Sequence, residues 1–326
     1  MPDANTQGAV QITPDSLNRS FHKFRQELIM MPIYGLQKVL PYVTLRPGVR
    51  YKETVGELQA DMELAPFDYK AHNDTDITIV GRTLETFLGN AVKGFDPISV
   101  VQSIYGSEIV QGEGLKNVPI TKKVWVRLMG QLSRHLYEAV FTAKRDDAGK
   151  TTKTLFNGYS TIAETEIAAG TMSAALGNYH ELSAAITSDN AIDSINEVFD
   201  AMDEHLKDEN TFMLMSPNTK LAYERDYQYT HGALPYNHEF KKTFVEGSDN
   251  KCQMVGLSCV PTGHIVVTNK SNLLLGIATS GPKVNFEIRP SLTSHFLLDF
   301  VASMFFGVEY ESINKERLLY CKVVTA

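Results

Sequence analysis

The residues best equipped for chemistry in this chain do not stand in catalytic company. Ser258 lies in Gly256-Leu257-Ser258-Cys259-Val260. That run lacks the second glycine of a nucleophile elbow, so the sharp turn that would present the hydroxyl is not encoded, and Ser258 reads as a strand residue. Gly112-Glu113-Gly114 lacks both a third glycine and a Lys-Ser/Thr ending, which leaves no phosphate cradle of either the dinucleotide or the P-loop pattern. The nine histidines form no HxH or HxxxH pair, and Cys252, Cys259 and Cys321 show no CxxC spacing. A zinc knuckle and a disulfide framework are thereby excluded, and a reducing compartment fits best. Asp146-Asp147 and the group Asp200, Asp203 and Glu204 would serve as acid/base pairs only by converging on a pocket, which spacing does not establish. The expectation is a protein that is not an enzyme and needs no metal or cofactor. A hydrolase with a site assembled from distant residues is a rival reading.

Two sets of charged residues suit binding better than catalysis. The first lies in a helix expected over Thr121 to Lys144, where Val124, Leu128, Leu132, Leu136 and Val140 recur every four positions and Trp125 and Met129 widen the apolar face. Lys123, Arg127 and Arg134 fall together on a helical wheel, away from that face. Thr121 to Arg145 holds six Lys/Arg against Glu138 alone, so the segment is basic within an acidic chain. A stripe of this kind suits phosphates; a plain solvated face is the competing reading. The second set is Arg50, Lys52, Glu53 and Glu57, continuing to Asp61 and Glu63. These charges are too dense for a strand buried on both faces.

The elements that must hold these groups follow from periodicity. Gly48 to Met62 and Asp76 to Leu88 alternate partly with period two and flank a polar stretch, Glu63 to Thr75, which predicts a long hairpin facing solvent or a partner. Near the start, Thr13 and Pro14 open a short amphipathic helix carrying Leu17, Phe21, Phe24 and Leu28. A second helix is expected from Asp189 to Leu206. A strand over Thr211 to Met215 comes next, then a helix from Pro217 capped by Ser216. Strands are expected at Met254–Val260, His264–Thr268, Asn272–Ile277, Val284–Ile288, Ser294–Tyr310 and Arg317–Val324. The fold class is α+β.

Composition bounds the rest. The 326 residues, 43% hydrophobic and 21% charged, belong to a folded protein with a sizeable core. Thirty-one Lys+Arg against 38 Asp+Glu give a net charge of −7, which excludes a globally basic nucleic-acid binder. Met1 to Thr13 has no apolar run resembling a signal peptide, and Phe296 to Val308, interrupted by Asp299, is shorter than the roughly 20 residues that span a bilayer. No membrane association is expected.

The order of charged hairpin, long basic helix, helix, strand, capped helix and strand-rich tail resembles the major capsid proteins of tailed bacteriophages, the Hong Kong ninety-seven-type fold. Leu155-Phe156-Asn157-Gly158-Tyr159-Ser160-Thr161-Ile162 is similar to the turn that follows the family's spine helix. Phe212-Met213-Leu214-Met215-Ser216-Pro217-Asn218 is similar to its apolar strand and helix start, and Asn272-Leu273-Leu274-Leu275-Gly276 adds to the likeness. The resemblance implies an amino-terminal arm over 1–43, an extended loop over 44–95, a peripheral domain over 96–210 and 284–326 with the spine helix at 121–144, and an axial domain over 211–283. It further implies a subunit that assembles with itself into hexamers and pentamers of an icosahedral shell around double-stranded DNA, built in the host cytoplasm. Scaffolding, portal and decoration proteins are the further partners. Lys123, Arg127 and Arg134 would then face DNA, and Arg50, Lys52, Glu53 and Glu57 would meet a neighbouring subunit. An encapsulin-like compartment of the same fold and a tail or adaptor component of another fold stand as alternatives.

Overall fold

A computed structural model describes residues 35–60, 77–96, 120–232, 234–237, 242–279, 286–292 and 297–323. The expected helix at Thr13–Leu28, the hairpin tip and the Gly112–Gly114 segment lie outside the described residues. The chain divides into two compact units. One comprises Met1–Gln37, Leu88–Leu136 and Thr279–Met304; the other comprises Lys38–Phe87, Tyr137–Ala278 and Phe305–Ala326.

In the larger unit a short strand β1 (Thr44–Pro47) precedes β2 (Lys52–Ala60) and β3 (Ile77–Glu85). β2 and β3 form the expected antiparallel hairpin, in register from Lys52 opposite Glu85 to Ala60 opposite Ile77. The expected strand from Gly48 starts four residues late. Gly48 and Tyr51 adopt positive φ of 88° and 67°, and a left-handed residue breaks the extended run. A further strand, β4 (Phe87–Phe95), begins directly after Thr86 and from Leu88 onward belongs to the smaller unit.

The long helix α1 spans Ile120–Thr142, close to the range its periodicity predicts. Past its end the chain folds back through Phe156-Asn157-Gly158 into α2 (Tyr159–Ala169). The turn requires its glycine: a Cβ at Gly158 would lie 2.5 Å from the Phe141 carbonyl carbon and oxygen. The Gly158 amide donates to the Ala143 carbonyl at 2.8 Å, while the Asn157 carboxamide oxygen accepts from the Arg145 amide at 2.9 Å. Phe156 packs against Phe306 with centroids 4.8 Å apart. Tyr159, fully buried, donates its hydroxyl to the Leu274 carbonyl at 2.8 Å.

A five-stranded sheet follows in the order β5-β14-β10-β6-β9, with β5 at Tyr179–Leu182, β6 at Thr211–Met215, β9 at Cys252–Gly256, β10 at His264–Thr268 and β14 at Leu318–Val323. β10 runs antiparallel to β6 and β14, whereas β5 and β9 pair in parallel with β14 and β6; between β6 and β9 in the chain, the two-residue strands β7 (Tyr236–Asn237) and β8 (Lys242–Thr243) pair antiparallel. Met213, Met215, Ile265, Val267, Leu319 and Cys321 alternate onto one face and form a core with helices α3 (Ala191–Asp200), α4 (Glu204–Asp208) and α5 (Pro217–His231). The start of α5 follows its local code, since the Ser216 hydroxyl accepts from the Thr219 amide at 3.2 Å and Pro217 occupies the first turn.

Two expectations are corrected here. The single helix over Asp189–Leu206 is two helices, because Asp203 is extended and its carboxylate accepts the His205 amide at 3.0 Å, so a second helix is capped where the first would have continued. The strand over Met254–Val260 ends at Gly256, and the Val260 amide closes a turn onto the Leu257 carbonyl at 3.1 Å.

β1 pairs in parallel with β11 (Leu273–Thr279), from Thr44 opposite Leu274 to Pro47 opposite Ile277. In the smaller unit β12 (Phe286–Pro290) pairs antiparallel with the first residues of β13 (Leu298–Tyr310), Phe286 facing Ala302. The α1 residues Met129 and Ser133 are buried in this unit. Gly35 lies so close to the helix that a Cβ there would come within 2.0 Å of the Ser133 Cβ.

Candidate assembly surfaces

The residues proposed for chemistry scatter. Ser258 sits in the turn after β9, and its hydroxyl donates to the Tyr137 oxygen at 3.1 Å; no histidine serves it as a base in the described hydrogen bonds. All three cysteines are buried, and burial pushes the thiols of Cys252 and Cys259 up to about 11 and about 12 and that of Cys321 up as well. Thiols so protonated are poor nucleophiles at neutral pH. Among the described residues no group of three His, Cys, Asp or Glu could hold a metal ion. No described helix is long and apolar enough to cross a membrane.

The hairpin has a built root. Arg50, Lys52 and Glu53 are exposed where β2 leaves the body, and Lys52 pairs across the ladder with Glu85. Glu57 stands in β2 opposite Val80. Beneath these, Val55 and Leu84 turn inward and pack with Val49 and Leu274. The Thr86 amide donates to the Tyr51 carbonyl at 2.7 Å, and its hydroxyl donates to the Val49 carbonyl at 3.1 Å. Two glycines admit this close packing. A Cβ at Gly307 would come within 2.0 Å of the Glu85 carbonyl oxygen, and one at Gly276 within 2.7 Å of the Thr86 methyl.

Arg82 of β3 anchors the same root by charge. Its Nη2 lies 2.7 Å from Glu166 Oε1 on α2 and 2.9 Å from Glu309 Oε1 on β13, and its Nε lies 3.3 Å from the latter. The side chains are only 14%, 22% and 14% exposed, so solvent screens the cluster weakly. Glu166 also accepts the Thr171 hydroxyl at 2.5 Å, and Glu309 accepts the Tyr310 amide at 2.9 Å. Sequence reading missed this clamp. Its visible signal was faint: Arg82 is one of two charged residues in Ile77–Glu85 and Glu309 one of two in Leu298–Tyr310, and a buried charge requires a partner.

On α1, Arg127 and Arg134 are exposed while Met129 and Leu136 are buried; Lys123 lies one turn before Arg127 in the same helix. Beyond the helix Arg145 is committed elsewhere. Its guanidinium donates to the Leu155 carbonyl at 2.8 Å and to Asp147 at 2.6 Å, and stacks 3.8 Å from the Phe87 ring centroid.

No protein-family model matches the sequence, and no curated protein matches it either. The likeness is in three dimensions. A chain of the satellite phage P4 procapsid that includes the size-determination (Sid) protein superposes with a TM-score of 0.58 at 9% identity, covering 98% of this chain and 94% of that one. The capsid of an empty GTA particle gives 0.56 at 11% identity, covering 100% and 96%. The chain has the phage capsid fold. A virus-like particle from Pyrococcus furiosus matches it with a TM-score of 0.50 at 10% identity over 93% of this chain and 99% of that one. The mixed α+β content expected from the sequence agrees with that fold.

Proposed function

We propose that this chain is a major capsid subunit that assembles with itself into hexamers, pentamers and a closed shell around double-stranded DNA. The observation that carries the reading is end-to-end agreement in fold with shell proteins, 98% to 100% of this chain against 94% to 96% of theirs. The hairpin supports it, because nine paired residues per strand would extend about 30 Å at 3.4 Å per residue, rooted at one end by Val55, Leu84 and Arg82. A shell subunit needs heterologous surfaces that close into rings and needs no catalytic group.

In this reading the arm is 1–43, the extended loop 44–95, the peripheral domain 96–210 with 284–326, and the axial domain 211–283. Arg50, Lys52, Glu53 and Glu57 meet a neighbouring subunit, and Lys123, Arg127 and Arg134 face the packaged DNA without reading its sequence. Scaffolding, portal and decoration proteins are its further partners, and the virion is its location.

Electron microscopy of the purified protein, with light scattering across concentration and salt, tests the proposal. Symmetric rings or shells are expected. A strictly monomeric species, unchanged by co-expression with the proteins encoded beside it, overturns it. Particles filled with a protein cargo in place of nucleic acid would assign the shell to a cellular compartment instead.

A further inference from the structure

Three observations converge on the hairpin root. First, Arg82 joins three elements that are far apart in sequence, being 84 residues from Glu166 and 227 from Glu309. Second, the chain enters β2 through Tyr51, a non-glycine residue at φ 67°, a conformation that is disfavoured and persists only where surrounding structure enforces it. Third, the backbone link between the two strand bases is the Thr86 amide on the Tyr51 carbonyl, directly at that strained residue. A ladder of nine register pairs holds the ribbon to itself. Among the described residues its base is held to the body by the apolar pair Val55 and Leu84, by the Thr86 bonds and by the Arg82 clamp.

We propose that Arg82 is a latch that fixes the direction of the β2–β3 ribbon on the subunit body, and that releasing it loosens the base of the ribbon at the Tyr51–Thr86 link while the ladder beyond stays paired. The clamp suits that role better than added apolar surface would. Charge-assisted bonds to two carboxylates demand one geometry, whereas an apolar contact tolerates sliding. A buried ion cluster is by contrast weak evidence of added stability, since neutral replacements of similar shape are often as stable. Its specific effect is therefore on position.

Hydrogen exchange on the unassembled subunit tests this without reference to shells. Arg82→Gln should speed exchange of the Thr86 amide by about tenfold, while amides within the ribbon ladder and in β10 and β14 keep their protection. Because Arg82→Gln leaves two carboxylates facing each other, a second variant, Arg82→Met with Glu166→Gln and Glu309→Gln, removes all three charges. The latch predicts parent-like thermal stability for this triple variant with the Thr86 amide still fast. If the triple variant restores slow exchange at Thr86, or if Arg82→Gln accelerates all amides equally or none, the clamp is a stability element and the latch is refuted. Failure to form shells in an otherwise unaltered protein would strike at the proposed function and leave this result untouched.

Discussion

Arg82 carries one positive charge between two carboxylates, and those carboxylates respond to acid in opposite directions. Burial raises the Glu309 carboxyl above its ordinary range, with Arg82 and the Tyr310 amide only partly offsetting it. For Glu166, burial also pushes upward, but the Thr171 hydroxyl and Arg82 together outweigh it and the carboxyl is lowered. A raised carboxyl binds its proton better when folded, so Glu309 costs stability above its folded value and the cost is relieved as pH falls through it. Glu166 contributes stability above its unfolded value of about 4.3, and that contribution is lost as pH falls through its lower folded value. Glu309→Gln should therefore be within about 1 kcal/mol of the parent, or more stable, at pH 7. Glu166→Gln should lose roughly 1–3 kcal/mol. Urea melts of both variants at pH 7 and pH 5 check the pair, and equal losses would refute the assignment.

Gly158 makes a steric prediction. An added methyl would meet the Phe141 carbonyl at 2.5 Å, and only backbone movement could relieve it. Gly158→Ala should cost about 3 kcal/mol, as severe overpacking does. Thermal denaturation beside Gly130→Ala, where a Cβ meets nothing within 4 Å, separates this contact from loss of chain flexibility.

Among the elements, the tip of the ribbon is the segment whose removal should spare its own subunit. Val55 and Leu84 pack into the body at its root, and the segment from about Leu64 to Thr75 lies beyond the described pairing of β2 with β3. Replacing that segment by a short turn should leave circular dichroism and melting temperature within a few degrees of the parent and abolish particles. Loss of the folded signal would place the tip in the core.

For the whole molecule, the basic side of α1 sits in a protein of net charge −7, so any attraction to DNA must be local. Exchanging Lys123, Arg127 and Arg134 for Gln should leave shells intact and weaken salt-sensitive retention of DNA. Each lost duplex phosphate contact lowers the salt slope by about 0.9, and all three together by at most about 2.7. Particle yield and DNA retention across salt are read together. Intact shells with unchanged retention would return the stripe to a solvated face, and loss of shells would assign these cations to contacts between subunits.

What the sequence determined by itself is local. The apolar repeat of α1, the strand Thr211–Met215, and Ser216 with Pro217 at the start of α5 were legible because each depends on spacing within a few residues. So was the hairpin, since alternation and a polar tip encode it without a partner. The break at Asp203 and the end of β9 at Gly256 were not, because there a single side-chain cap or backbone turn overrode a periodicity that could have continued. The order β5-β14-β10-β6-β9 joins strands from Tyr179 to Val323, and short apolar strands carry no label for their neighbours. Only the tertiary structure could bring Arg82 to Glu166 and Glu309. Their attraction acts through space at under 3 Å across separations of 84 and 227 residues, a distance that no local pattern encodes and that the packing of three separate elements sets.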